Sequence, residues 1–246
     1  FQELETIFKN QNFEKVYFQL ILIDSFLISN DTIEKISQYA KQVLIIDDWI
    51  GRNLIGENLN ILDWTALAEN SPIHAEQIHL KSFLGLNYCP LKKIKDRIEN
   101  KTNDFLIYLG SDISPKIYIE IINHLHRSYK DRNIIVISEE IAKIKNNFIN
   151  NKKISFLDYL TEEIFKIYLL NSRFFVTIGG WSSYQAIALN CFPLIISLKS
   201  TNTYYDCYGM VYLGYGLPLG YIDQNQKLEV FYIRYPLYQL TNNLLI

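Results

Sequence analysis

The sequence predicts an α/β fold with parallel strands, divided into two units. Three observations carry this. Apolar runs of four to eight residues, rich in β-branched side chains, recur along the chain at the length of strands buried on both faces. Amphipathic segments with helix-start signals lie between several of them. One polar, basic stretch, NYCPLKKIKDRIENKTN at 87–103, breaks the alternation and reads as a linker.

The opening FQELETIFKNQ reads as a polar–apolar helix running straight into a strand, so the chain reads as starting inside its first unit, without that unit's leading strands. Strands follow at 17–24 (YFQLILID) and 42–47 (QVLIID), around a helix at 31–42 that opens on an Asp-Thr cap signal and puts Ile33 and Ile36 on one face. After the linker comes a strand at 104–110 (DFLIYLG). The next helix, 115–130, has Ser114 as cap, Pro115 at its first position and an apolar stripe of Ile117, Ile121, Ile122 and Leu125. Strands at 133–138 and 153–157 precede a helix at 161–171, whose opening TEE sets acids where the helix dipole favours them. Strands at 174–180 and 193–197 complete the alternation, which means a parallel sheet with helices on its faces. The units are 1–88 and 104–246, joined by 89–103. The second ends in a segment of weak periodicity in which Tyr204, Tyr205, Tyr208, Tyr212, Tyr215 and Tyr221 lie among scattered glycines, and no repeat of 20–50 residues is present.

Composition excludes several classes. The 246 residues suit one large domain or two small ones at about 150 residues per domain. A formal charge of −2 argues against a nucleic-acid partner or an anionic lipid surface. No run reaches the roughly 18 apolar residues of a transmembrane segment. Cys89, Cys191 and Cys207 form no CxxC pair and support neither a zinc site nor a disulfide framework, so reduced thiols and a cytoplasmic setting are expected.

Ligands of open parallel sheets bind beyond the C-terminal strand ends, and three such loops stand out. Gly110, Ser111 and Asp112 precede the helix at 115–130, where backbone amides suit a phosphate, although Gly-Ser-Asp is also an ordinary turn. Gly179-Gly180-Trp181-Ser182-Ser183 precedes a helix-like YQAIALN. Paired glycines allow close backbone approach, and the serines either bind phosphate oxygens or simply cap the helix. It fits neither Walker A nor GxGxxG. The third loop holds Asp47, Asp48 and Arg52, which read either as substrate-side groups or as an internal Asp–Arg pair, since neighbouring strand residues face opposite sides. His74 and His79 are five apart rather than four, and His124 and His126 lie on different helix faces, so no metal site is expected. Ser182 and Ser183 lie in no GxSxG elbow, and Cys191 in NCFP reads as core.

Taken in order, several segments resemble a known family: LILIDSFLISNDTIEKISQYAKQVLIIDDWIGR, ILDWTALAEN, LKSFLGLNYCPLKK, FLIYLGSDIS and FFVTIGGWSSYQAIALNCFPLII. They are similar to the UDP-sugar hydrolases of pseudaminic acid biosynthesis, relatives of the MurG-type GT-B glycosyltransferases. The fourth looks like that family's Gly-Gly-Ser-Asp loop and the fifth like its Gly-Gly-x-Thr/Ser-x-x-Glu loop. The resemblance covers about residues 15–200.

It implies a GT-B-like fold of two Rossmann-like units with a cleft between them, and a UDP-sugar ligand cleaved or transferred at its anomeric carbon. Gly110, Ser111 and Asp112 would approach the nucleotide, while Gly179, Gly180, Ser182 and Ser183 would hold the diphosphate. Leu109 stands where the family has the first glycine of its loop, and Gln185 where it has the acid that accepts from a ribose or sugar hydroxyl. The family's Gly-x-Gly-His-x-x-Arg, source of its water-activating histidine, has no counterpart. Thr201-Asn202 only echoes its Asn-Gln. No motif calls for a cofactor or metal. A glycosyltransferase and a non-catalytic nucleotide-sugar binder are the alternatives, and oligomeric state is left open.

Overall fold

The structure, a computed structural model, describes residues 17–25, 27–47, 52, 54–70, 81–91, 101–198 and 203–230. The N-terminal helical reading, Asp48, His74, His79, residues 92–100 of the linker and Thr201-Asn202 lie outside them. The chain divides into two compact units, Phe1–Pro90 and Leu91–Ile246.

In the first unit, β1 (Ile21–Ile23), β2 (Val43–Ile46), β3 (Leu59–Asp63) and β4 (Lys81–Leu84) form a wholly parallel sheet in chain order. Between β1 and β2 runs α1 (Asn30–Ser37). Its cap is Ser29, whose hydroxyl accepts from the Thr32 amide, so the helix starts one residue before the Asp-Thr signal. Ile33 and Ile36 do share a face, packed with Val43, Ile45, Leu59 and Ile61.

The second unit carries β5 (Asn103–Ile107), α2 (Pro115–Ser128), β6 (Ile134–Ile137), α3 (Ile141–Lys145), β7 (Ile154–Leu157), α4 (Glu162–Asn171), β8 (Ser172–Thr177), α5 (Trp181–Ala188), β9 (Phe192–Leu198), α6 (Thr203–Tyr212), β10 (Leu217–Ile222) and β11 (Leu228–Val230). Strand order is β11-β10-β9-β8-β5-β6-β7, parallel except for the β10–β11 pair. Counted from β5, the six parallel strands run 3-2-1-4-5-6, the doubly wound order whose direction reverses between β5 and β8.

Alternation along the strands builds a core on each face of this sheet. Phe105, Ile107, Ile134, Val136, Phe174, Val176, Leu194 and Ile196 pack with Ile117, Ile121, Ile122 and Leu125 of α2. Leu106, Ile135, Ile137 and Phe175 pack with Leu169 of α4 and with Ala186, Leu189 and Cys191. Each fully buried side chain of this size is worth about 1.5–3 kcal/mol. At the other end of the sheet, the half-buried Lys101 ammonium donates to the carbonyls of Ser172 and Asn190, both at 2.8 Å, and so serves the C-terminal end of α5.

Several elements differ from the sequence reading. The strand at 174–180 starts earlier and ends at Thr177, because Gly179 (φ 99°) and Gly180 (φ 73°) leave extended geometry. The weakly periodic 203–230 holds α6 and β10, formed through tertiary contact with β9, and β11, paired with β10. β3 and β4, unread in the sequence, complete the first sheet.

Candidate functional site

Two loops flank the reversal point of the second sheet. One follows β5 and carries Leu109 to Asp112; the other follows β8 and carries Ile178 to Ser182. They are neighbours because β5 and β8 are: the Tyr108 amide donates to the Val176 carbonyl at 3.0 Å, and a Cβ added at Gly110 would lie 3.9 Å from Ile178 Cδ1.

In the first loop, Leu109 is an anchor, wholly buried in the α2-side core. Its amide donates to the Tyr118 hydroxyl at 3.0 Å, and that hydroxyl donates to the Gly110 carbonyl at 3.2 Å. Burial pushes the Tyr118 phenol up to about 12. Gly110 then turns at φ 82°, leaving Ser111 and Asp112 exposed. Ser114 is the N-cap of α2 with Pro115 at N1, but its side chain makes no cap bond; its amide donates to Gln226 Oε1 at 3.4 Å.

The second loop differs in its cap. The α5 N-cap is Gly180, which has no side chain to offer, and neither serine takes its place. The serine-capped turn is therefore not what forms. The Ser182 hydroxyl lies 3.4 Å from Thr177 Oγ1, and the Gly179 amide donates to that same Oγ1 at 3.4 Å. The Ser183 hydroxyl is fully buried and has no hydrogen-bond partner among the described residues. A buried hydroxyl left so costs about 1–3 kcal/mol relative to a satisfied one.

Gln185 is buried, and its Nε2 donates to Glu162 Oε1 at 3.2 Å. Lys166 pairs with that carboxylate at 2.6 Å and is the main reason it titrates below its usual range. A carboxylate from α4 thus stands beside Gln185.

In the first unit, Asp47 and Arg52 are both buried, with Nε 3.7 Å from Oδ1 and the Arg52 amide donating to Oδ2 at 3.3 Å. The guanidinium also donates to the carbonyls of Ser25 (2.6 Å) and Ile28, tying the loops after β1 and β2 together. This is the internal-pair geometry of the two readings. His126 Nε2 contacts Asn151 Nδ2 at 3.0 Å, and among the described residues no cluster of His, Cys, Asp and Glu has the makings of a metal site. No helix is long and apolar enough to cross a membrane among the described residues.

Tyr118, Glu162 and the α6 residues Asp206 and Cys207 were not read as site neighbours. Tyr118 was legible, being three and four residues before Ile121 and Ile122 and so on the buried stripe of α2. The others meet the loop only through strand order.

Two parallel-sheet units, the second doubly wound with glycine loops at its reversal point, define a GT-B-like α/β protein. No family model matches the sequence, and no curated protein matches it. Among solved structures the chain is similar to the UDP-GlcNAc 2-epimerase of Methanocaldococcus jannaschii, solved with UDP-GlcNAc and UDP, at TM-score 0.55 and 18% identity over 88% of this chain and 68% of that one. It is also similar to Glycyrrhiza uralensis UGT73P12, solved with glycyrrhetinic acid 3-O-monoglucuronide, at TM-score 0.59 and 10% identity over 93% and 64%. A fainter likeness, to an S. aureus TarM mutant at TM-score 0.48, covers 72% of this chain and 41% of that protein. The chain therefore spans about two thirds of the first two enzymes and less than half of the third, and at these identities the likeness is one of fold.

Proposed function

We propose that this chain binds a UDP-sugar and hydrolyses it, releasing UDP from a diacetamido-trideoxy-hexose on the way to a nonulosonic acid such as pseudaminic acid. The observation that carries the binding step is the start of α5. A two-glycine turn without a side-chain cap, beside an unsatisfied Ser183 hydroxyl at a sheet reversal point, suits a diphosphate. The ordered segments that resemble those of the UDP-sugar hydrolases support the substrate class, as does the likeness to the epimerase, solved with UDP-GlcNAc and UDP.

Gly179, Gly180, Ser182 and Ser183 then hold the diphosphate, Gly110, Ser111 and Asp112 line the nucleotide side, and Gln185 with Glu162 meets a hydroxyl. Asp47, Asp48 and Arg52, from the first unit, are the sugar-side candidates, with Asp47 and Arg52 shaping its loops. Water attacks C1 as the C1–O bond to the diphosphate breaks. Charge gathering on the leaving oxygen meets the α5 amides and the positive end of the helix dipole. The water's proton goes to a general base that none of the matched segments supplies.

Calorimetry with UDP, inorganic pyrophosphate, UMP and ADP tests the binding step. UDP should bind saturably and more tightly than UMP or ADP, and Ser183→Ala should weaken it about tenfold by deleting a hydrogen bond to a charged group. Absence of saturable UDP binding at millimolar concentration sinks the reading. Product analysis of a turned-over UDP-sugar, with and without an acceptor alcohol, then separates hydrolysis from glycosyl transfer.

A further inference from the structure

The turn that precedes α5 is gripped from outside its own strand and helix. One turn into α5, the Tyr184 hydroxyl donates to Asp206 Oδ1 of α6, and both side chains are buried. The next α6 residue, Cys207, donates its thiol to the Ile178 carbonyl at 3.3 Å. Ile178 and Tyr184 bracket Gly179 and Gly180, so two consecutive residues of α6 hold the turn at its entrance and just beyond its exit.

The turn needs such support. Two adjacent glycines, at φ 99° and 73°, have more conformational freedom than any other pair, and among the described residues the Gly179 amide has only a long 3.4 Å bond to Thr177 Oγ1. Amides on a free glycine turn would be ordered by a ligand at entropic cost, whereas amides already fixed bind without it. A carboxylate buried merely to stabilise the fold is a poor device, since apolar packing of equal volume does as well or better.

We infer that Asp206 and Tyr184, seconded by Cys207, are positioning residues that preset the Gly179–Gly180 turn, so that α6 is a working part of the anion site without touching the ligand. This rests on the diphosphate reading above, but its first readout needs no ligand.

Amide hydrogen exchange and pyrophosphate calorimetry on Tyr184→Phe, Asp206→Asn and Cys207→Ala test it. Tyr184→Phe should speed exchange at residues 179–182 about tenfold, leave β5 and β8 unchanged, and weaken pyrophosphate about tenfold. Asp206→Asn keeps an acceptor oxygen and should recover most of both effects. Unchanged exchange at the turn overturns the inference. So does acceleration spread over the whole second unit, which is the mark of a purely structural bond. If Tyr184→Phe does not fold, Cys207→Ala carries the same comparison with a weaker contact removed. A wild-type protein that ignores pyrophosphate defeats the functional reading, while the exchange data still decide whether α6 holds the turn.

Discussion

The Tyr118 hydroxyl donates to the Gly110 carbonyl while accepting from the Leu109 amide, so one phenol from the first turn of α2 satisfies both backbone groups that lead out of β5. Replacing it with phenylalanine keeps the ring and strands a buried N–H. Tyr118→Phe should cost about 1–3 kcal/mol, read as a lower urea midpoint at unchanged m-value. An unchanged midpoint would mean that water replaces the hydroxyl.

The same phenol gives an alkaline signature. Its folded value, about 12, lies above the ordinary 10 because burial disfavours the phenolate, so the folded state holds its proton where the unfolded state has lost it. Stability from this group is complete below pH 10 and is lost as the pH climbs from there to about 12. Melting temperature measured from pH 9 to 12 should fall less steeply in Tyr118→Phe than in wild type.

The thiols should sort by burial. Cys191 is buried, and desolvation pushes its thiol up to about 12; desolvation likewise raises buried Cys207, while Cys89 is half-buried. At neutral pH a disulfide reagent should label Cys89 first, with Cys191 and Cys207 reacting only on unfolding. Rapid labelling of two or three thiols in the native protein would contradict this packing.

Two glycines should fail for different reasons. At Gly180 an added Cβ meets nothing within 4 Å, so Gly180→Ala is penalised by φ 73° with ψ −162° alone, about 1–3 kcal/mol, and should lose UDP binding as the turn shifts. At Gly220 the Cβ would lie 2.1 Å from the Glu229 carbonyl oxygen, so Gly220→Ala should break the β10–β11 pair. Chemical denaturation and UDP titration of both variants distinguish strain at the site from a clash at the sheet edge.

Removing the guanidinium of Arg52 takes one cationic neighbour from the buried Asp47 carboxylate and removes the tie to Ser25 and Ile28. Arg52→Met should destabilise the first unit by about 3–5 kcal/mol. Arg52→Lys should rescue little, since one ammonium cannot reproduce the planar fork. A mild Arg52→Met phenotype would assign the pair to a ligand instead.

Legibility in the sequence followed the range of the interactions. The stripe of α2 and the β5, β6 and β8 runs could be read because each buried pattern is written in adjacent residues. Strand ends were overrun where glycines changed the backbone, as at Gly179 and Gly180. α6 and β10 were not read because their apolar residues have no clean period and gain their structure by packing on β9.

By itself the sequence determined the alternation of parallel strands and helices, the glycine loops at the strand ends, and the absence of a Walker or zinc pattern, because local periodicity and backbone stereochemistry are properties of neighbours along the chain. Only the tertiary structure decided the lateral order that sets β5 beside β8 and brings Gly110 to Ile178. It also decided the pairing of Asp47 with Arg52, of Glu162 with Gln185, and of Asp206 with Tyr184. Those contacts depend on which faces the strands bury and how the sheet doubles back. That choice is made by the whole core at once, and no single segment carries it.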